Sequence, residues 1–375
     1  MRIILTGGGT GGHIFPLIAV AEKLKILARE RGVEDINFLY VGPRFDEVVE
    51  EIFKREGIEH KYILAGKIRR YATPLHLVDF FKFPFSIIQA LWILFWNMPD
   101  AVFSKGGYGS FPVMLASFIF MVPSRVMHES DSVPGLANRL AARFAKRIGV
   151  AFPGAALKFP VDKTAVVGLP VRDDLCAKDP KKARLFFDIQ SDRKVVLVTG
   201  GSQGARKINS AIIQALPHLL AKYEVIHITG AFNYEEVKKE TEVVAKSPLG
   251  FYYHPYPFLT EEIKLAFSLA DIVITRGGAS FIFEIASCRK PSIIVPLPGS
   301  AQDHQRKNAY EYAKTGATIV MEEENITPNL LYSTIVSILD DPNTVEKMSS
   351  NAAVFPVKNS SEIIAKEILK LRGVI

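Results

Sequence analysis

A short β-rich run, Arg2-Ile3-Ile4-Leu5, leads directly into the glycine-rich stretch LTGGGTGGHIFP at Leu5 to Pro16. Apolar residues then recur at Leu17, Val20, Ala21, Leu24 and Leu27, which is helical spacing. The order strand, glycine loop, helix fixes what can follow, because it needs a parallel sheet with a crossover helix. Glycines let the backbone turn tightly and bring bare N–H groups close to a ligand. Those donors and the positive end of the helix dipole favour an anion. Pro16 suits a first helical turn, which places His13 just before the helix. His13 is a proton carrier there or a helix cap. Gly7-x-Gly9-x-x-Gly12 also satisfies a dinucleotide fingerprint. The second strand, Asn37 to Val41, is followed by Gly42-Pro43-Arg44 and lacks the expected carboxylate. An NADP-dependent oxidoreductase, with Arg44 on the 2′-phosphate, is the alternative that this loop leaves open.

The same unit starts again midway. Lys194–Val198 reads as a strand, Thr199-Gly200-Gly201-Ser202-Gln203-Gly204-Ala205 as a glycine loop, and Arg206–Leu220 as a helix. A length of 375 residues suits two domains. The expected fold class is therefore α/β, with two Rossmann-like doubly wound domains facing across a cleft. The boundary falls at the Gly168-Leu169-Pro170 linker, giving domains 1–168 and 169–375, with the last helix able to pack back on the first domain. First-half strands are expected near 2–6, 37–41, 60–64, 101–104, 125–128, 147–151 and 165–167. Second-half strands are expected near 194–198, 224–229, 250–254, 271–275, 292–296 and 318–321. Helices Thr327–Leu339 and Ser361–Leu371 close the chain.

Three further motifs stand at strand ends. Lys105-Gly106-Gly107-Tyr108-Gly109-Ser110 is another glycine loop, with a cation beside its donors. His128-Glu129-Ser130-Asp131 offers two acids and an imidazole for acid–base work, or for capping the next helix. Arg276-Gly277-Gly278-Ala279-Ser280 opens a helix, with Glu284 a turn further on. A carboxylate there can accept two hydroxyl hydrogen bonds, as a ribose offers, or simply favour the helix N-terminus. The polar run Gln302-Asp303-His304-Gln305-Arg306-Lys307-Asn308 suits sugar hydroxyls.

A net charge of +7 favours anionic partners. Residues 61–105 hold six cations (Lys61, Lys67, Arg69, Arg70, Lys82, Lys105) against Asp79 and Asp100, interleaved with Phe80, Phe81, Phe83, Phe85, Trp92, Phe95 and Trp96. A basic collar around a greasy block too short to span a bilayer reads as membrane-surface contact. It does not read as a dispersed stacking platform for nucleic acid. Cys176 and Cys288 are the two cysteines, with no metal spacing. No disulfide framework is expected, and a reducing compartment fits.

Taken together, GGGTGGHIFP, SKGGYGSFP, HESDSVPG, GLPVR, TGGSQGA, TRGGASFIFE and the DHQRKN run resemble the MurG family over essentially the whole chain. The resemblance implies the GT-B fold and a hexosyltransferase, with another GT-B UDP-sugar:glycolipid transferase as the alternative. The enzyme would move N-acetylglucosamine (GlcNAc) from UDP-GlcNAc to undecaprenyl-diphosphate-linked muramyl-pentapeptide (lipid I), giving lipid II for the cell wall. It implies the acceptor on the first domain and the donor on the second. On this resemblance donor contacts fall on Thr10, Gly11, Gly12, Asp131, Arg172, Ser202, Leu259, Ala279, Ser280, Glu284 and Gln305. The acceptor diphosphate falls on Gly9, Gly106, Gly107 and Tyr108, and the base is His13, with Glu129 and Asp131 as rivals. Implied partners are the two substrates, an anionic membrane surface and other cell-wall synthesis proteins, with no metal, cofactor or nucleic acid. The implied location is peripheral, on the cytoplasmic side of the inner membrane. Two departures stand out: the family usually reads HEQN where this chain has HESD, and GNPVR where it has GLPVR. Asp131 thus sets a carboxylate near a doubly anionic donor, which weakens binding unless a cation or proton compensates.

Overall fold

The computed structural model describes the chain except residues 9, 10, 46, 65–74, 173, 177, 178, 202, 203 and 356–358, and except the side chains of 11, 48 and 75–81. Two compact units result, one of Met1–Arg172 with Pro356–Ile375 and one of Asp173–Phe355.

In the first unit the strands are β1 (Arg2–Thr6), β2 (Asn37–Gly42), β3 (Ile58–Tyr62), β4 (Ala101–Ser104), β5 (Ser124–Glu129), β6 (Arg147–Val150) and β7 (Thr164–Val166). They form one sheet in the order β3-β2-β1-β4-β5-β6-β7, with all neighbours parallel. Central strands such as β1 and β4 are apolar on both faces, as a sheet covered by helices on both sides requires. The closing helix, Ser360–Arg372, packs on helix Gly11–Arg29 and on β5, burying Ile364, Ala365, Ile368 and Leu369. Ser124 Oγ donates to the Ile368 carbonyl at 3.1 Å.

In the second unit the strands are β8 (Val195–Thr199), β9 (Glu224–Ile228), β10 (Tyr253–Tyr256), β11 (Ala270–Thr275), β12 (Ser292–Ile294) and β13 (Thr318–Val320). Their order is β10-β9-β8-β11-β12-β13, again all parallel. Both sheets therefore reverse strand order once, between β1 and β4 and between β8 and β11. In open α/β sheets such a switch point is where the crevice for a ligand opens, beyond the carboxyl ends of the strands.

The expected doubly wound class is observed in both units, with three local corrections. The first helix begins at Gly11, so His13 lies in its first turn rather than before it, and Pro16 is interior. Pro16 has no N–H for the carbonyl four residues back, which is Gly12. A helix at Pro342–Ala352 follows Pro328–Leu339; it begins at a proline after an Asp341 cap, a start signal that the sequence reading passed over. Finally, Cys176 and Cys288 are joined as a disulfide, against the expectation of none. They are 112 residues apart in sequence, a separation that carries no pairing signal, but their Cα atoms lie 5.1 Å apart in the second unit.

Candidate functional site

At the first switch point three strand ends meet. The loop after β1 carries Gly7 and Gly8, the loop after β4 carries Lys105 to Gly109, and β5 ends in His128-Glu129. The two glycine loops touch. Gly107 has φ +91°, and a Cβ there would lie 2.9 Å from the Gly8 nitrogen, so only glycine fits. Helices Gly11–Arg29 and Ser110–Ile119 both start at these loops, so two sets of first-turn N–H groups open at one place. Tyr40 Oη steadies the first loop by donating to the carbonyls of Gly7 (3.2 Å) and Pro43 (3.3 Å).

His13 is half-buried between these loops. Its Nδ1 lies 3.3 Å from the Lys105 carbonyl. A carbonyl only accepts, so Nδ1 carries the proton and Nε2 keeps its lone pair. Burial, and next the Lys105 ammonium, lower the imidazole pKa to about 4. The ring is neutral at physiological pH and can take up a proton.

Beneath His13 the polar groups are closely interlocked. Lys105 is fully buried, which corrects its place in the expected basic collar: it points into the fold, not to a membrane. Its Nζ donates to His128 Nδ1 at 3.0 Å and to Ser130 Oγ. His128 in turn donates from Nε2 to the Gly168 carbonyl at 2.7 Å. Burial pushes the Lys105 ammonium down to about 8, against the opposing pull of Glu129 and Asp131. Glu129 is 3% exposed and accepts from Asp131 N (3.0 Å), Gly135 N (3.2 Å) and Asn138 Nδ2 (2.7 Å). Burial, and then Asp131, push its carboxyl up to about 7. With both oxygens committed to the turn, Glu129 is placed to shape the loop rather than to meet a substrate. Asp131, two residues on, is half-buried. Arg172 sets its guanidinium over the Phe15 ring, 5.4 Å from the centroid, which brings a cation beside the first turns of helix Gly11–Arg29. Gly12, Tyr108, Gly106 and Gly107 border the same loops; Gly11 is described only as backbone, and Gly9 and Thr10 lie outside the described residues.

The second unit repeats the arrangement with different side chains. Gly204, φ +74°, sits where a Cβ would come within 2.2 Å of Asn233 Nδ2, and helix Arg206–Leu219 follows. Ser202 lies outside the described residues. After β11, Gly277 is pressed against the next helix start: a Cβ would meet the Gln305 carbonyl at 2.4 Å. That contact sets helix Ala279–Ser287, which carries Ala279, Ser280 and the half-buried Glu284, beside helix His304–Ala313, which carries Gln305. Gln305 Oε1 accepts from Leu297 N at 3.1 Å, which orients the amide. The turn before it is strained, since Gln302 (φ 52°) and Asp303 (φ 57°) are both left-handed without being glycine, a strain that collects at ligand sites. Arg276, by contrast, is spent internally, on Glu323 and on the Val295 carbonyl at 3.2 Å. Leu259, in the loop after β10, is buried. Sequence reasoning brought Glu284 and Gln305 forward separately; the Gly277 contact that joins their helices has no signal in one dimension.

The family model for the glycosyltransferase family 28 N-terminal domain matches residues 3–150, and that for the family's C-terminal domain matches residues 195–366. A Clostridium kluyveri protein named UDP-N-acetylglucosamine–N-acetylmuramyl-(pentapeptide) pyrophosphoryl-undecaprenol N-acetylglucosamine transferase is 35% identical over 353 residues, 94% of this chain and 95% of that one. A Clostridium botulinum (strain Loch Maree) protein of the same name is 32% identical over 97% of this chain and 99% of its own. Among solved structures, Acinetobacter baumannii MurG aligns with a TM-score of 0.73 at 24% identity, over 98% of this chain and 99% of that one. A UDP-GlcNAc 2-epimerase from Neisseria meningitidis shares the fold, with a TM-score of 0.70 at 16% identity over 99% of this chain and 100% of that one. Two family models covering most of the chain, and full-length relatives above 30% identity, give the conclusion directly: the chain belongs to glycosyltransferase family 28 and, within it, to the MurG family.

Proposed function

We propose that this protein transfers GlcNAc from UDP-GlcNAc to undecaprenyl-diphosphate-linked muramyl-pentapeptide. The muramyl 4-hydroxyl oxygen forms the new bond to the anomeric carbon as the bond to UDP breaks, with inversion. The hydroxyl proton goes to His13 Nε2, and the leaving diphosphate is stabilised by backbone N–H groups and a helix N-terminus. Glycine loops 7–12 and 106–109 take the acceptor diphosphate. Gly204, Ala279, Ser280, Glu284, Gln305 and Leu259 serve the donor, with Glu284 on the ribose and Gln305 on the sugar. Arg172 supplies a cation for the diphosphate side, where the resemblance also sets Ser202, and Thr10 is a further donor contact on the same resemblance. The observation that carries this reading is His13: its Nδ1 is tied to the Lys105 carbonyl, so its basic nitrogen is fixed where two anion-binding loops touch. Purified protein given UDP-GlcNAc and a lipid I analogue is expected to release UDP only when both are present. Equal release without the acceptor would reduce the protein to a hydrolase.

A peripheral seat on an anionic membrane is the second part of the proposal. Among the described residues no helix is long and apolar enough to cross a membrane. Helix Leu75–Asn97 buries Ser86, Ala90 and Leu94 on one side and exposes Phe85, Ile88, Trp92, Phe95 and Trp96 on the other. Trp92 and Trp96 are 65% and 63% exposed, an apolar face that water disfavours, and Met98, Phe118, Ile119 and Met121 are exposed in the same unit. Lys61 is exposed in the same unit, while Lys67, Arg69 and Arg70 lie outside the described residues. The double change Trp92→Glu/Trp96→Glu is expected to weaken binding to phosphatidylglycerol vesicles at least tenfold, read by sedimentation. Unchanged sedimentation would remove this face from the proposal.

A further inference from the structure

Lys105 is a fully buried cation whose ammonium meets neither substrate in the transfer steps. An ammonium is costly to bury, and methionine would fill similar space without that cost, so packing does not account for it. Its protons go to His128 Nδ1 and Ser130 Oγ, which clamps the turn after β5 from below. Its backbone carbonyl faces His13, and the next two residues are Gly106 and Gly107 of the anion-binding loop. Two acids, Glu129 and Asp131, flank Ser130, the residue that its ammonium holds. Glu129 is satisfied by two N–H donors of its own turn and by Asn138 of the helix that follows. Asp131 is the more exposed of the two and stands on the clamped turn.

We propose that Lys105 is a positioning residue for the acceptor diphosphate: its ammonium holds the 128–131 turn in place and offsets the Asp131 carboxylate, so that an anionic diphosphate is accepted on glycine loops that border two acids. This rests on the reading of the first unit as the acceptor side. The pairing explains how a carboxylate is tolerated at Asp131, since the compensating cation comes from the neighbouring strand end.

The test is a double-variant cycle in the full chain, with inorganic pyrophosphate as the probe, its binding measured calorimetrically with UDP present to fill the donor side. Lys105→Met is expected to raise the pyrophosphate Kd at least tenfold. Asp131→Asn, which leaves the ammonium unopposed, is expected to lower it at least threefold. Lys105→Met/Asp131→Asn is expected to return within threefold of native. In turnover, the lysine variant is expected to raise the acceptor KM while kcat falls less than threefold. A Lys105→Met Kd within threefold of native, or a double variant as weak as the single one, overturns the proposal. Should Lys105→Met fail to fold, Asp131→Asn decides alone, and an unchanged Kd counts against the pairing. A loss of kcat of a hundredfold in Asp131→Asn also overturns it, by making that carboxylate the base. If native protein binds pyrophosphate yet releases no UDP from UDP-GlcNAc and a lipid I analogue, the transferase reading fails while the charge pairing stands.

Discussion

His13→Ala is expected to lower kcat by about 10²–10⁴, the usual worth of a positioned general base, with the KM of both substrates changed less than threefold. The geometry gives the reason. The Lys105 carbonyl holds the ring by Nδ1, so the Nε2 lone pair points away from that anchor. With its pKa lowered to about 4 by burial and by the Lys105 ammonium, the imidazole is unprotonated throughout the neutral range. The sign follows: protonation removes the base, so kcat/KM falls as pH drops through about 4 and is flat above it on His13's account. The kcat limb reports the substrate complex, in which an adjacent diphosphate favours the imidazolium and moves the limb upward. Glu129, raised to about 7, and Lys105, lowered to about 8, titrate above this limb and persist when His13 is replaced. Loss of the lowest limb in His13→Ala is therefore diagnostic. A variant with kcat within threefold of native at saturating substrates would refute the assignment.

Much of this site was legible because its backbone geometry has a sequence cost. A strand that ends in several glycines and opens a helix is hard to place anywhere but a parallel strand end, and the 5–16 and 199–205 stretches each fell at a switch point. The alternation of strand-like and helix-like runs located the thirteen strands seen among the described residues, though Gly250–His254 shifted to Tyr253–Tyr256 behind a 3₁₀ turn at Pro248–Tyr252. Lys105 shows where such reading runs out. A lysine beside a basic, aromatic segment looks like a surface cation, because composition records charge but not direction. Only the pairing of β4 with β5 brings Ser130 and His128 under it. Glu129 is the converse case: an acid beside a histidine reads as chemistry, whereas its three hydrogen bonds turn it inward. The Cys176–Cys288 bridge is long-range in the same sense, being set by tertiary packing and by nothing local.

The second large effect is expected at Glu284. Glu284→Ala should raise the KM for UDP-GlcNAc about 10²-fold, corresponding to roughly 3 kcal/mol at 1.4 kcal/mol per decade, with kcat changed less than fivefold. Glu284 lies in the second turn of helix Ala279–Ser287, whose start at Gly278 directly follows β11. Gly277 locks that start against the Gln305 carbonyl, so the carboxylate and the oriented Gln305 amide are fixed relative to each other. A ribose offers two adjacent hydroxyls, and a carboxylate can accept both; hydrogen bonds to a charged group are worth about 1.5–3 kcal/mol each, less where water competes. Partial exposure of Glu284 places the sum near the lower end of that range. The ribose assignment makes a sharper demand than a loss of affinity. Replacing the donor by its 2′-deoxyribose analogue should weaken binding to native protein about tenfold but to Glu284→Ala less than twofold, because the partner is already gone. Glu284→Gln, which keeps one acceptor oxygen and no charge, should fall between. If the deoxy penalty were the same in native protein and Glu284→Ala, the carboxylate would be stabilising its helix and not holding the nucleotide, and the donor side would have to be rebuilt around Gln305 and the first-turn N–H groups of Ala279 and Ser280.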